Sequence, residues 1–308
     1  MPIKSVNKTP LTILRSENLG SIPWLVHGFS TRLSGSSRTY GGNTLNLGFT
    51  QQDSRSAVER NRASFLQQLG AHDGKPWPLV TLRQIHSDLI HCVEDLPQEP
   101  LVGDGLITRM PGILIGIQTA DCLPVILVDP KQKAVGVFHA GWRGTVKRVL
   151  EKGVGEMRRY FGTLPKNIKA AIGPGIHSCC YNVGPEVRQQ FESQFAYAED
   201  LFREVKESDP VREKYPLLFL TARAPGHGEL PPTLFLDLVE ANRRQLVSAG
   251  VPRKNISASA LCTACRPDLL FSYRAEKGVT GRMMAVAGIR KPRTRKSENS
   301  WPESVHRT

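Results

Sequence analysis

The sequence lacks the features of an exported or membrane-spanning protein. Its amino-terminal residues contain no apolar core followed by a small-residue cleavage site. No run reaches the roughly 20 apolar residues of a membrane helix, and Asp121 interrupts the longest candidate. We therefore expect a soluble, cytoplasmic protein, in which the six cysteines are reduced thiols or metal ligands and not disulfides.

Several common catalytic motifs are also missing. The absence of a GxSxG nucleophile elbow weakens a serine-hydrolase assignment. There is no Walker loop and no GxGxxG. The nearest glycine-rich stretch, GPGIHSCCYNVG at 173–184, is either a tight turn or a weak anion cradle formed by backbone amides.

Acidic residues are scarce relative to basic ones, and the net charge is +13. Residues 290–308 hold six Lys or Arg against two Glu, and we expect a disordered basic tail there. The remaining positive charge is spread along the chain and favours anions, including phosphate-bearing small molecules. A nucleic-acid-binding protein is an alternative, but without a recognition motif we expect no specific nucleic-acid partner and no membrane partner.

Strand-like and helix-like segments alternate irregularly, which predicts an α+β fold, with residues 1–289 as a single domain of mixed β-sheets packed with helices. Apolar runs predict strands, and apolar residues at helical spacing predict helices. The predicted strands include Val80–Ile85, Gly112–Gln118, Leu123–Val128 and Ala134–Phe138, and the predicted helices include Ser54–Leu69, Gly144–Phe161 and Phe235–Ala249.

The clearest group of chemically active residues is His86, Cys122 and His139. Each follows an apolar strand-like run, at intervals of 36 and 17 residues, so the three come from separate elements. Three N and S ligands with a fourth position open to water are typical of a catalytic zinc site. The alternative is that the histidines bond only to backbone and Cys122 is a core thiol.

Asp121 directly precedes Cys122. Its carboxylate could orient a ligand histidine or move a proton, or it could simply stabilise a turn. A rival metal site is also open, because Cys179–Cys180 and Cys262–Cys265 form two close pairs of thiols. Only the second pair has ligand spacing, and adjacent cysteines chelate one ion awkwardly.

A series of motifs resembles one known family in order and spacing. The motifs are HGFSTRLSG with NLG, RQIHSD, GDGLIT, TADCLPVIL, FHAGWRGT, IGPGIHSCCYNVG, CTAC and FSYR, from about Trp24 to Ile289. They resemble the bacterial laccase-domain family, once named multicopper polyphenol oxidases. Its members are described as purine nucleoside phosphorylases with adenosine deaminase activity, and one branch is called peptidoglycan editing factor.

The resemblance implies a zinc ion, with copper as the other candidate, bound by His86, Cys122 and His139. It implies phosphorolysis of adenosine, inosine or methylthioadenosine and deamination of adenosine, with purine nucleoside and phosphate as the partners. Asp121 is the predicted proton carrier. Arg32, Asn46 and Arg143 are predicted to bind the phosphate or the ribose. GDGLIT retains Asp104 but departs from the family's usual start, and Ser34–Gly35 replaces a commoner glycine pair.

Two other enzyme functions stay open. A zinc-dependent amidase that edits muropeptide precursors would use the same metal site, because activated water attacks an amide as readily as an aminopurine carbon. A copper-dependent polyphenol oxidase fits less well, since a multicopper enzyme needs many histidines in paired motifs. This chain has eight histidines and no HxH.

Overall fold

The computed structural model describes residues 12–206 and 232–292. The predicted basic tail, apart from its first three residues, lies outside the described residues. The α-helices of the described part are α1 (Glu17–Gly20), α2 (Arg55–Leu69), α3 (Trp142–Val146), α4 (Val149–Phe161), α5 (Pro185–Glu192) and α6 (Leu238–Ser248).

The strands follow in chain order. They are β1 (Ile13–Leu14), β2 (Leu25–Ser30), β3 (Leu33–Ser37), β4 (Leu79–Val80), β5 (Leu82–Arg83), β6 (Ile90–Cys92), β7 (Leu101–Val102), β8 (Gly105–Thr108), β9 (Leu114–Thr119), β10 (Leu123–Asp129), β11 (Ala134–Ala140), β12 (Lys169–Ile172), β13 (Asn182–Val183), β14 (Phe202–Val205), β15 (Thr233–Leu236), β16 (Ile256–Ala258) and β17 (Met283–Ile289).

Two mixed sheets dominate the structure. The five-stranded sheet has the order β1-β2-β17-β9-β4, and the six-stranded sheet has the order β16-β12-β10-β11-β8-β6. Both contain parallel and antiparallel pairs. This arrangement of mixed sheets and helices confirms the predicted fold class, whereas the domain boundary at residue 289 stays a prediction.

The two sheets pack face to face, with helices on both outer faces. Because side chains alternate along a strand, successive residues of β10, β11 and β17 belong to different cores. The core between the sheets includes Phe29, Ile115, Ala285, Ile126, Val128, Val135 and Val137. Phe65 and Leu66 of α2 cover the outer face of the five-stranded sheet. Leu150 and Met157 of α4 cover that of the six-stranded sheet.

Several predicted boundaries were wrong for local reasons. The predicted helix Gly144–Phe161 is two helices, because Arg148 adopts the left-handed conformation with φ 63°. The predicted strand Val80–Ile85 is divided between β4, which joins the five-stranded sheet, and β5, which pairs with β7. Helix α2 begins at its Ser54 cap and ends at left-handed Gly70, close to the predicted bounds.

Within 12–206 and 232–292, no helix has both the length and the apolar character needed to cross a membrane. The cytoplasmic location stays a prediction.

Candidate metal centre

The hairpin of β10 and β11 brings Cys122 and His139 together. Its antiparallel register pairs Leu123 with Ala140 and Pro124 with His139, so the residue that precedes β10 lies beside the end of β11. His86 lies in the loop between β5 and β6. His139 lies within β11, whereas the sequence placed it just after the strand.

The three side chains form a compact group of possible metal ligands. Their ligand atoms all lie within 4.8 Å of one another. The Sγ atom of Cys122 is 3.8 Å from Nε2 of His86, and the two imidazole rings meet edge to face at 4.8 Å between centroids. The donor set of two imidazoles and one thiol fits zinc, with a coordination position left for water or substrate.

The backbone around this group adopts conformations that cost free energy. His86 and Asp121 have φ values of 57° and 92°, a region that non-glycine residues rarely adopt. At Gly141, a Cβ atom would lie 2.9 Å from Sγ of Cys122 and 3.0 Å from Cδ2 of His86. Only glycine permits this close approach.

Asp104 supports both histidines, a role that the sequence reasoning missed. Its fully buried carboxylate accepts a 2.8 Å bond from Nδ1 of His139, so the Nε2 atom of that ring is left for a metal. The same carboxylate accepts from the backbone N–H of His86 at 3.0 Å and from the Ser87 hydroxyl at 2.6 Å. A carboxylate behind a ligand histidine fixes its tautomer and ring orientation. The sequence signal was the aspartate retained in GDGLIT.

The pKa of Asp104 lies well below its usual range. Burial opposes the charged carboxylate, but the bonds from His139 and Ser87 outweigh it. The stabilisation is therefore fully present above the unfolded-state pKa of about 3.9 and is lost as the pH falls below it.

Cys122 and His139 perturb each other's ionisation. Burial opposes the thiolate, yet the neighbouring His139 and His86 lower the pKa of Cys122. Burial likewise opposes the imidazolium, while Cys122 and Asp104 raise the pKa of His139. Without a metal, both shifts favour a thiolate beside an imidazolium.

This ionisation predicts that zinc binding at pH 7.5 releases the His139 proton. The Cys122 thiol has already lost its proton at that pH and adds none. The apparent zinc affinity should consequently rise with pH to beyond the ordinary histidine pKa of about 6.5, and it should level off once His139 is neutral without metal.

Calorimetric titration of zinc-free protein, in buffers of different ionisation enthalpy, counts the protons released. The difference between wild type and Cys122→Ala isolates this site and should be about one proton per zinc. A difference that does not depend on the buffer would contradict the assigned ionisation.

The three ligand residues open into a cavity of about 690 Å³. Among the described residues, its lining also holds four arginines and a single carboxylate, that of Asp121; the arginines are Arg83, Arg143, Arg274 and Arg282. Burial raises the pKa of the Tyr181 phenol in the same wall, so its hydroxyl stays protonated. A second cavity, of about 510 Å³, is lined by other residues and includes none of the three ligands.

Asp121 lines the cavity, but its carboxylate bonds to residues other than the ligand histidines. Its carboxylate accepts bonds from Oγ1 of Thr263 at 2.6 Å, Oγ of Ser272 at 2.7 Å and the backbone N–H of Arg274 at 2.6 Å. It therefore ties the loop before β10 to the segment 263–274. The carboxylate that orients a histidine is Asp104, while the role of Asp121 as proton carrier stays a prediction.

Of the three predicted phosphate or ribose ligands, only Arg143 lines this cavity. The guanidinium of Arg32 pairs with Glu276 at 3.1 Å and lies over the Phe271 ring. Asn46 is fully buried, and its amide bonds to Asp53 and to the backbone of Arg282. Both residues hold the loop 32–53 in place, and their contact with substrate stays a prediction.

The chain is similar to known proteins over most of its length. The chain is 33% identical over 285 residues to the purine nucleoside phosphorylase YlmD of Geobacillus stearothermophilus, covering 87% of this chain and 94% of that protein. It is 37% identical over 205 residues to the adenosine deaminase RL5 of an unknown prokaryotic organism, covering 64% of this chain and 69% of that protein.

The fold also matches a solved structure. The crystal structure of the hypothetical protein YfiH of Bacillus licheniformis superposes with a TM-score of 0.76 at 32% identity, covering 92% of this chain and 97% of that one. The family model described as multi-copper polyphenol oxidoreductase laccase matches residues 26–290. This chain therefore belongs to that laccase-domain family.

Proposed function

We propose that this protein is a zinc-dependent purine nucleoside phosphorylase, acting on adenosine, inosine or methylthioadenosine, that also deaminates adenosine. The observation that carries the proposal is the group of His86, Cys122 and His139 in a cationic cavity. The names of the relatives at 33% and 37% identity support the substrate class and both activities.

The cavity suits a nucleoside together with an anion. A volume of about 690 Å³ falls in the range of small-molecule sites. Guanidinium groups bind phosphate through paired hydrogen bonds. Arg143 lies over the ring of Trp142, 4.5 Å from its centroid, and this contact fixes its guanidinium in the cavity wall.

A zinc ion held by the three ligands would supply Lewis-acid activation of a water or a substrate atom. Asp104 holds His139 through Nδ1 and positions His86 through its backbone. The neutral Tyr181 hydroxyl is available as a hydrogen-bond donor to substrate. Asp121 holds the wall segment that carries Arg274, and we propose that it also carries the proton to the leaving amine.

The family description favours copper as the competing metal. In the described residues, however, the groups able to hold a metal are this trio and a cluster of four thiols. Neither resembles the paired histidine motifs of a multicopper oxidase. We therefore propose zinc as the resident ion.

The test is product analysis of the purified protein with adenosine, inosine and methylthioadenosine, each with and without inorganic phosphate. We expect free base only when phosphate is present, together with ribose 1-phosphate from adenosine or inosine and methylthioribose 1-phosphate from methylthioadenosine. We also expect inosine from adenosine without phosphate. A parallel set of UDP-sugar amino acid amides and a phenol with oxygen serve as competing substrates. Cleavage of the amides alone, or oxidation of the phenol alone by copper-loaded protein, would contradict the proposal.

A further inference from the structure

A second group of metal-competent side chains lies outside the His86, Cys122 and His139 site. The thiols of Cys179, Cys180, Cys262 and Cys265, here called the cysteine cluster, have Sγ atoms that all lie within 4.8 Å of one another. Sγ of Cys265 is 3.5 Å from that of Cys179 and 3.3 Å from that of Cys180.

These distances are within about 0.5 Å of the sulfur–sulfur spacing of a tetrahedral site around one ion. Zinc–sulfur bonds of about 2.3 Å place tetrahedral ligand sulfurs about 3.8 Å apart. A disulfide, in contrast, pairs two sulfurs at about 2.05 Å. Cys265 has two nearly equidistant neighbours and no single partner, so the arrangement fits a shared central ion better than it fits one bridge.

The backbone around the cluster is arranged for a thiolate ligand. The N–H of His177 donates to Sγ of Cys262 at 3.4 Å, and hydrogen bonds of this kind stabilise a charged ligand sulfur. The N–H of Arg266 bonds to the Cys262 carbonyl at 3.2 Å, which closes the turn that contains both CxxC cysteines.

Adjacent Cys179 and Cys180 also reach the same point, although the sequence indicated an awkward chelate. The turn is closed by a bond of 2.9 Å from the Cys180 N–H to the His177 carbonyl. This turn presents both thiols toward Cys265. The local backbone therefore allows the two adjacent cysteines to bind one ion together.

We propose that the cysteine cluster binds a structural zinc ion through four thiolates. The site is distinct from the proposed catalytic centre. Four protein ligands and no open position are typical of structural zinc.

The ion would join two segments that form one wall of the 690 Å³ cavity. Residues 173–184 contribute Ile176 and Tyr181 to its lining, and residues 259–274 contribute Tyr273 and Arg274. The segments already meet where Gly175 pairs with Cys262 and where the Thr263 N–H bonds to the Gly175 carbonyl at 2.9 Å. A metal cross-link beside this contact would fix the wall across more than 80 residues of chain.

The proposal is tested by counting metal in the full-length protein, purified with reductant and without chelator. Elemental analysis and native mass spectrometry should give two zinc ions per wild-type chain. The Cys262→Ser/Cys265→Ser variant and the Cys122→Ala variant should each hold one, and the combined variant none. Cys92→Ser, which changes a cysteine outside both groups, should retain two.

Cobalt substitution of the wild-type protein gives a second readout that does not require the double variant to fold. Thiolate-to-cobalt charge-transfer absorption grows with the number of thiolates, so a four-thiolate site should dominate the spectrum. Cys180→Ser should reduce it, while Cys122→Ala should leave most of it.

Three results would overturn the proposal. They are a single wild-type zinc that persists in Cys262→Ser/Cys265→Ser, two zincs that persist in that variant, and a disulfide joining Cys265 to Cys179 or Cys180 in peptide mass maps of the reductant-purified protein. Zinc counts decide the matter whether or not nucleosides are substrates, so the outcome is separate from that of the proposed function.

Discussion

Replacing Cys122 by alanine is expected to remove one zinc per chain and to abolish nucleoside turnover. Its thiol is the only sulfur among the three ligand atoms within 4.8 Å, and the neighbouring imidazoles lower its pKa. Losing it leaves two neutral nitrogen ligands for a divalent ion. A metal centre supplies several kcal/mol of transition-state stabilisation, so we expect turnover to fall by about a thousandfold or more.

Metal content and adenosine turnover are measured on the same preparations, beside Cys92→Ala as a matched control. Cys92 is a partly buried cysteine outside both thiol-containing groups and should keep both zinc and turnover. Unchanged zinc in Cys122→Ala would place the metal elsewhere. Loss of zinc, together with a wild type that turns over no nucleoside, would retain the metal site and redirect the search to amide substrates.

Replacing Asp104 by asparagine is expected to have the next largest effect, a lower zinc affinity. The carboxylate accepts from Nδ1 of His139 and from the backbone N–H groups of His86 and Ser87. Both carboxylate oxygens accept bonds. In either orientation of an asparagine side chain, its NH₂ group therefore replaces one of these oxygens and faces donors that it cannot accept from. Loss of such a carboxylate behind a ligand histidine typically weakens metal binding by about 10- to 100-fold.

The same substitution should also lower the free energy of unfolding. Each buried donor left unpaired costs about 1–3 kcal/mol, which denaturant titration of the zinc-free protein measures. It should also reduce the loss of stability on acidification below pH 4, because that loss arises from a carboxylate that takes up a proton in the unfolded state while it stays charged in the native state.

Asp129→Asn provides the control for Asp104→Asn. Asp129 is fully buried and accepts from the backbone N–H of Lys131 at the β10–β11 turn, far along the hairpin from the metal site. Asparagine retains an oxygen for this bond, and the other Asp129 oxygen has no partner among the described residues, so this variant should retain zinc affinity and most of its stability. Equal zinc affinity in Asp104→Asn and wild type would show that Asp104 does not act through the ligand histidines.

The sequence predicted the parts of this fold that depend on near neighbours in the chain. Apolar runs located the strands Leu114–Thr119 and Leu123–Asp129, and helical spacing with Ser54 and Gly70 at the ends located α2. These patterns are readable because a strand or helix buries side chains at a fixed period. The break at Arg148 was missed, since no residue type there marks a left-handed turn.

The sequence also selected His86, Cys122 and His139, and the structure brings them together. Two of them flank one antiparallel hairpin, so an interval of 17 residues around a turn was enough to make them neighbours. Family motifs supplied the rest of that inference. The sequence could not show that Asp104 accepts from His139, because their contact depends on the pairing of β8 with β11.

Other parts of the site were decided only by tertiary structure. Arg32 and Asn46 were predicted to bind the phosphate or the ribose; the structure shows their side chains bonded to Glu276 and Asp53, and their contact with substrate stays a prediction. The sequence left open whether the two pairs of cysteines meet, and the structure places Cys180 beside Cys265, 85 residues away. Residue types and local periodicity determined the strands, the main helices and the three metal-site residues. The packing of segments distant in sequence decided the supporting aspartate, the cationic wall and the cysteine cluster, because such contacts follow from how whole elements pair and not from spacing along the chain.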